Sequence, residues 1–479
     1  MIFNSVEFFI FFSVFFVLYW FVSNRNLSFQ NILLLIGSYI FYAWWDWRFL
    51  SLLIGSSLLN YYLGLGIWNS KTDKKKKGLL LIGLVQGLGG LIFFKYVNFF
   101  VDSFLSAFSF FNIDLNLHAM NLILPLGISF YTFRTVSYLL DIYKGKIEPS
   151  HNPIVFFSYV AFFPSLISGP IDRASTLIPQ LEKNRNFDYD QAVDGCRQIL
   201  WGLFKKFVVA DNCGLFTKLI FNDYHELPGS SLLLGAFYYT IQIYADFSGY
   251  SDMAIGFAKL LGFNITKNFD YPFFSQNIAG FWRKWHISLT SWLTDFVFTP
   301  LTIAFRDYGK VGLILAIIIN FTTIGLWHGA NWTFILFGFL HGCYYIPLII
   351  RGTLSKKNKI ADDKLLPSFS EFIYMSITFI VVMLTFIVFR SDTISQAVDY
   401  FARMFSSSFL SIPKLFNKIT TGFIIVLIAV EWLQRSKQHG LQITNISNPF
   451  MRKTLYFITV LIIFIFGAFN NADFLYFKF

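Results

Sequence analysis

Between Val311 and Ile350 the sequence holds two long apolar runs, Val311 to Leu326 and Trp332 to Ile350, separated only by Trp327-His328-Gly329-Ala330-Asn331. Roughly 20 apolar residues in a helix span a bilayer core, so this stretch reads as two membrane helices with an imidazole at or inside the membrane. Ionisable groups there are costly and mark function. Segments of the same kind recur along the whole chain, and they decide what it can fold into.

With 55% of residues hydrophobic, 14% charged and 63 Phe, the chain reads as an all-α polytopic protein solvated by lipid. No polar stretch is long enough for a sizeable globular domain, so residues 1–479 form one integral-membrane domain, with 471–479 an aromatic C-terminal tail. The net charge of +11 comes from Lys and Arg beside apolar segments. That pattern fits topology determinants and not a nucleic-acid partner. Cys196, Cys213 and Cys343 form no CxxC pair, and the 7 His form no HExxH, so no metal is expected. No P-loop, GxSxG or GxGxxG stands out.

Taken in order, the expected spans are Phe3–Phe21, Ile32–Trp45, Phe49–Trp68, Leu79–Phe100 and Leu122–Leu140, then Leu232–Leu261, the two runs flanking His328, Phe372–Phe389, Ile419–Leu433 and Leu455–Phe469. Ile154–Ile167 is short and broken by Pro164, Gly169 and Pro170, which suits a segment that enters the membrane and turns back, or an interfacial turn. Ile199–Phe221 carries Lys205, Lys206, Asp211 and Asn212 and reads as a crossing inside the bundle or a surface helix. The sum is about twelve crossings. The basic runs Lys71–Lys77 and Arg351–Lys364 belong inside, which puts both termini outside. Phe3 begins an apolar run with no basic residues before it and no small-residue cleavage pattern after it, the pattern of a retained first helix.

Three constellations carry possible chemistry. Helical spacing places Gln242 and Asp246 on one face, as the polar wall of a substrate tunnel or as a hydrogen-bonded knot between helices. Trp282-Arg283-Lys284-Trp285-His286 reads as an interfacial aromatic belt, or as a site where Arg283 and Lys284 hold donor phosphates and His286 handles a proton. His328 sits among the small residues Gly325, Gly329 and Ala330, and a neutral imidazole suits removal of a hydroxyl proton near neutral pH. A satisfied core histidine is the competing reading.

Taken together, Phe94-Lys-Tyr-Val-Asn98, Leu124-Pro-Leu-Gly-Ile-Ser-Phe-Tyr-Thr-Phe133, Phe163-Pro-Ser-Leu-Ile-Ser-Gly-Pro170, Asp246-Phe-Ser-Gly-Tyr-Ser-Asp252, Trp282–His286 and Leu326-Trp-His-Gly-Ala-Asn-Trp332 form an ordered series covering most of the chain. In that series the chain resembles the membrane-bound O-acyltransferase (MBOAT) family, in its bacterial branch typified by alginate O-acetyltransferases. The resemblance implies a ring of about twelve membrane helices around a central tunnel. It implies that His328 is the active-site histidine and His286 a second functional one. It adds Trp282, Arg283, Lys284, Gln242, Asp246 and Asn331 as donor-binding or tunnel residues. No cofactor is permanently bound; acetyl-CoA or another thioester is the donor, the bilayer is the solvent, and an extracytoplasmic esterase-like protein is the partner that passes acetyl to a polysaccharide. Tyr476, in Phe474-Leu-Tyr-Phe-Lys-Phe479, matches the place of a proposed acyl relay in related systems, against a plain aromatic belt. A lipid-directed acyltransferase of the same family and a non-catalytic transporter or flippase are the alternatives.

Overall fold

A computed structural model describes residues 1–22, 26–110, 120, 122–354, 364–444, 446–469 and 474–475. Among these residues regular structure is helical, with no β-strand. Lipid requires as much of an apolar chain, because each buried backbone N–H and C=O must be satisfied within the protein. Among the described residues seven helices are long and apolar enough to cross a membrane: Trp47–Asn69, Asp73–Ser109, Ile287–Ala304, Arg306–His328, Trp332–Ile350, Phe369–Arg390 and Pro449–Phe466. Val6–Val22 and Leu27–Ala43 are apolar but shorter.

This set differs from the expected one in two ways. Ile287–Ala304 was not foreseen as a span, because Asp295 and Pro300 interrupt its apolar run; its helix passes from α to π geometry over Thr294–Phe298 and back. The expected segments near Leu122, Ile154, Ile199, Leu232 and Ile419 form helices that are shorter or more polar than a self-sufficient crossing. Internal contacts gather into two units, one of Met1–Cys196 with Ala254–Thr266 and one of Arg197–Met253 with Lys267–Phe479.

In the first unit the segment with two prolines does break, into Pro153–Val160 and Phe163–Leu166. A helix break inside a protein frees carbonyls that need donors. Arg134, fully buried on Ile128–Tyr143, supplies them: Nη1 donates to Tyr159 O (3.2 Å) and Val160 O (3.1 Å), and Nη2 to Ser165 O (3.0 Å). Ser165 Oγ passes the charge on by donating to Asp172 Oδ2 at 2.9 Å, and Thr266 N donates to Asp172 Oδ1 at 3.0 Å. Gly127 starts the Arg134 helix at φ +73°, and a Cβ there would lie 2.9 Å from Leu166 O, so only glycine fits.

In the second unit two backbone contacts set the packing. Helices Gly309–His328 and Trp332–Cys343 meet where a Cβ on Gly325 would lie 2.1 Å from Phe334 O and one on Gly338 would lie 2.2 Å from Phe321 O. Small residues let membrane helices approach this closely. Gly202 and Gly249 meet likewise: a Cβ on either would come within 2.8 Å of the other's carbonyl oxygen.

Replacing Arg134 with Met leaves three buried carbonyls and the Asp172 carboxylate without their cation. Breaking a buried charge pair from one side costs about 3–5 kcal/mol. The Arg134→Met protein is expected to lose most of its folded yield, read by fluorescence-detected size exclusion in detergent, while an exposed Lys74→Met control keeps it.

Candidate active site

The two sequence-predicted histidines sit in the second unit against one indole, that of Trp327. His328 is the last residue of Gly309–His328 and is buried; Gly329 then takes an extended conformation and ends the helix. A Cβ on Gly329 would strike the Phe334 ring at 2.4 Å. The His328 ring stands edge-on to Phe389 with centroids 5.0 Å apart and lies 5.1 Å from Trp327. His286 packs on the same Trp327, with ring centroids 5.4 Å apart, and meets Phe247 at 4.7 Å. His286 is 1% exposed and precedes helix Ile287–Leu293 with φ 45° and ψ 52°. A non-glycine residue held at positive φ is strained by order 1 kcal/mol, and such strain concentrates at functional sites. The arrangement is two imidazoles in an aromatic box that excludes water, where electrostatic and hydrogen-bond effects act at greater strength than in solvent.

The remaining predicted residues scatter around this box. Trp282 is buried and donates from Nε1 to Nδ1 of His341 at 3.1 Å, which leaves the His341 proton on Nε2. Arg283 is exposed and donates to Leu354 O at 2.6 Å; Lys284 is half-buried. Asn331 caps helix Trp332–Cys343, its Oδ1 accepting from Thr333 N at 3.0 Å while Nδ2 donates to Asp392 O at 2.9 Å. Both ends of its side chain are thus occupied in structure.

Asp246 is buried in a cluster of charged groups. Its Oδ1 accepts from Lys206 Nζ at 2.7 Å, and the same lysine reaches Asp211 at 2.8 Å. Asp246 Oδ2 accepts from Leu475 N at 2.9 Å, and the Phe474 ring lies under Lys206 Nζ at 4.3 Å and edge-on to Tyr250 at 4.7 Å. Gln242, one turn earlier, packs its amide against Gly214, where a Cβ would meet Nε2 at 2.7 Å. Tyr476 lies outside the described residues.

The membrane-bound O-acyltransferase family model matches residues 39–391, well over half of the chain. This chain belongs to that family. A probable alginate O-acetylase of Pseudomonas aeruginosa is 37% identical over 440 residues, covering 90% of this chain and 80% of that protein. A peptidoglycan O-acetyltransferase of Helicobacter pylori is 30% identical over 511 residues, covering 95% and 92%. A teichoic acid D-alanyltransferase of Streptococcus thermophilus is 33% identical over 292 residues, covering 55% and 68%. The protein is a multi-pass membrane acyltransferase.

Sequence reasoning missed several buried polar groups of this acyltransferase. His341 lies in the apolar run Trp332–Ile350, and its Nε2 finds no hydrogen-bond partner among the described residues. The rule that singled out His328, an ionisable group inside an apolar run, applies to it equally. The same rule reaches Glu431, which lies in the run Ile419–Leu433 and accepts from Tyr244 Oη at 2.8 Å on both carboxylate oxygens. Lys205 pairs with Asp252, so adjacent lysines of the π-helix Phe204–Ala210 serve two different carboxylates. A π turn rotates successive side chains differently from an α-helix and is frequent at functional sites.

In the MBOAT chain, Lys206→Met leaves Asp211 and Asp246 facing each other without a cation. It is expected to destabilise the protein by about 3–5 kcal/mol. Adding Asp246→Asn to the same protein should recover part of the loss, measured as the thermal unfolding midpoint in detergent. A Lys206→Met protein as stable as wild type would show that the pair carries nothing.

Proposed function

We propose that this chain moves an acetyl group from a cytosolic thioester, acetyl-CoA, across the bacterial cytoplasmic membrane for O-acetylation of a cell-envelope or extracellular polysaccharide. The observation that carries this reading is the pair of buried imidazoles, His286 and His328, sharing Trp327 within an aromatic box. The names of the relatives, alginate O-acetylase and peptidoglycan O-acetyltransferase, agree with transfer to an envelope polymer.

In this mechanism the membrane helices form a ring of about twelve around a central tunnel, with both termini outside. Exposed Arg283 and half-buried Lys284 hold donor phosphates. Gln242 and Asp246 line the tunnel, and Trp282 and Asn331 shape it. The acceptor hydroxyl attacks the thioester carbonyl carbon. His328 takes the hydroxyl proton as the C–O bond forms; as the C–S bond then breaks, the sulfur takes that proton from His328 and leaves as the free thiol. His286 donates a hydrogen bond to the carbonyl oxygen as negative charge develops there. A dry site makes that donation stronger than it would be in water.

The first acceptor is Tyr476, acylated and then relieved by an extracytoplasmic esterase-like partner that passes acetyl to the polymer. Support comes from the two tail residues before it. Phe474 is 1% exposed, and Leu475 N is held on Asp246, whose chain neighbour Phe247 packs on His286. The tail is therefore linked to the histidine box through one step of helix Gly229–Leu260.

The test is transfer of radiolabelled acetyl from acetyl-CoA by membranes containing wild type, His328→Ala or Tyr476→Phe at matched expression. Removing a general base costs about 10²–10⁴-fold in rate, and His328→Ala is expected to fall by that amount. Tyr476→Phe is expected to abolish label on the protein. Unchanged transfer in His328→Ala would remove it as the base. Label on the protein in Tyr476→Phe would remove the relay, and no transfer in any of the three with the partner present would favour the transporter reading.

A further inference from the structure

Two blocks of the second unit interlock through histidine and tryptophan. Trp282 and His286 come from one block, and Trp327, His328 and His341 from the other. His286 packs on Trp327, and Trp282 bonds His341. The acyl-transfer reading uses His286 and His328 and leaves His341 without a role.

His341 is 0% exposed on helix Trp332–Cys343. Trp282 Nε1 donates to its Nδ1 at 3.1 Å, so the neutral imidazole carries its proton on Nε2. That N–H has no hydrogen-bond partner among the described residues. A buried donor left unmade costs more than an ordinary hydrogen bond returns, and an apolar side chain of similar shape would avoid the cost. Around His341 stand Phe337, Trp282 and Tyr344, with ring centroids at 4.5, 5.1 and 5.6 Å. The Tyr344 hydroxyl is engaged with Thr385 at 3.3 Å, and an aromatic face is a weak acceptor.

The neighbours of His341 indicate which ligand group completes it. Phe337 packs against both imidazoles, with ring centroids 6.2 Å from His328 and 4.5 Å from His341. Trp282, which holds His341, is followed in the chain by exposed Arg283. Contacts therefore run from His328 through Phe337, His341 and Trp282 to Arg283. A coenzyme A thioester has the same order of chemistry: a reacting carbonyl at one end, phosphates at the other, and an arm with amide carbonyls between.

We propose that the Nε2–H of His341 donates a hydrogen bond to an amide carbonyl in the arm of the thioester donor. This role rests on the acyl-transfer reading, with a coenzyme A thioester as donor. The arm takes no part in bond making, so the hydrogen bond is equally strong before and during reaction. Its loss weakens binding and leaves the chemical step unchanged.

The test measures binding of S-ethyl-coenzyme A by the full chain in detergent, and acetyl transfer from acetyl-CoA in membranes. The thioether keeps the arm and cannot transfer an acyl group. His341→Met fills a buried apolar position without a donor, whereas His341→Gln keeps an amide N–H. His341→Met is expected to raise both the Kd for the thioether and the KM for acetyl-CoA about tenfold, with kcat within about twofold of wild type. His341→Gln should recover most of the affinity. A histidine that only packs predicts the opposite order, because Met suits an apolar site better than Gln. Unchanged binding in His341→Met, a loss confined to kcat, or a Gln variant as weak as the Met variant would overturn the proposal. If His341→Met does not fold, His341→Gln decides: near wild-type affinity supports the proposal, and weak binding by the folded variant overturns it. A wild type that neither binds the thioether nor transfers acetyl would overturn the acyl-transfer reading itself, and this role with it.

Discussion

Lys206 is a cation inside a body of apolar helices, and much of the second unit is arranged so that it is not alone. A buried charge left unpaired costs several kcal/mol, and one paired with good geometry roughly breaks even. The pairing here depends on backbone: Gly202 and Gly249 let two helices touch, and the π turn that follows aims Lys205 and Lys206 at separate carboxylates. Asp246 then has one oxygen left for Leu475 N, so the same ion pair that locks two helices also seats the C-terminal tail. In the first unit Arg134 solves the equivalent problem for a broken helix by donating to the carbonyls that the break sets free.

These devices explain which parts of the structure were legible in the sequence. Helical class and membrane solvation followed from long apolar runs, which leave a backbone in lipid few choices. His328 stood out because one imidazole interrupts two such runs, and the ordered series of motifs pointed to the family that the comparisons then established. Asp246 was recognised as a carboxylate that must be satisfied, but its cation lies 40 residues away in the chain, and no local pattern specifies that pairing. Arg134 was read through as part of an apolar span, because its partners are carbonyls of a distant break and carbonyls leave no mark in a sequence. Asn331 serves as a helix cap. A polar side chain followed by an apolar helix is a capping signal, and beside His328 that signal was available.

His286 shows a different limit. The aromatic and cationic residues around it suit a membrane interface, and nothing in their spacing distinguishes that reading from an active site. In the structure Arg283 is exposed, whereas His286 is buried at a strained backbone position against Trp327. Strain of this kind persists only where surrounding packing imposes it. Phe247, which packs on His286, lies on the same helix that carries Asp246, so the charge pair and the histidine box share one element.

The central claim is that His286 and His328 act on one reacting group, and the direct measurement is a double-mutant cycle on acetyl transfer rate. Wild type, His286→Ala, His328→Ala and the double variant would be compared in membranes at matched folded yield. Residues that act as a unit are strongly non-additive, so the account predicts a double variant no slower than His328→Ala alone. Full multiplication of the two single losses would show that the histidines act on separate steps and would contradict it.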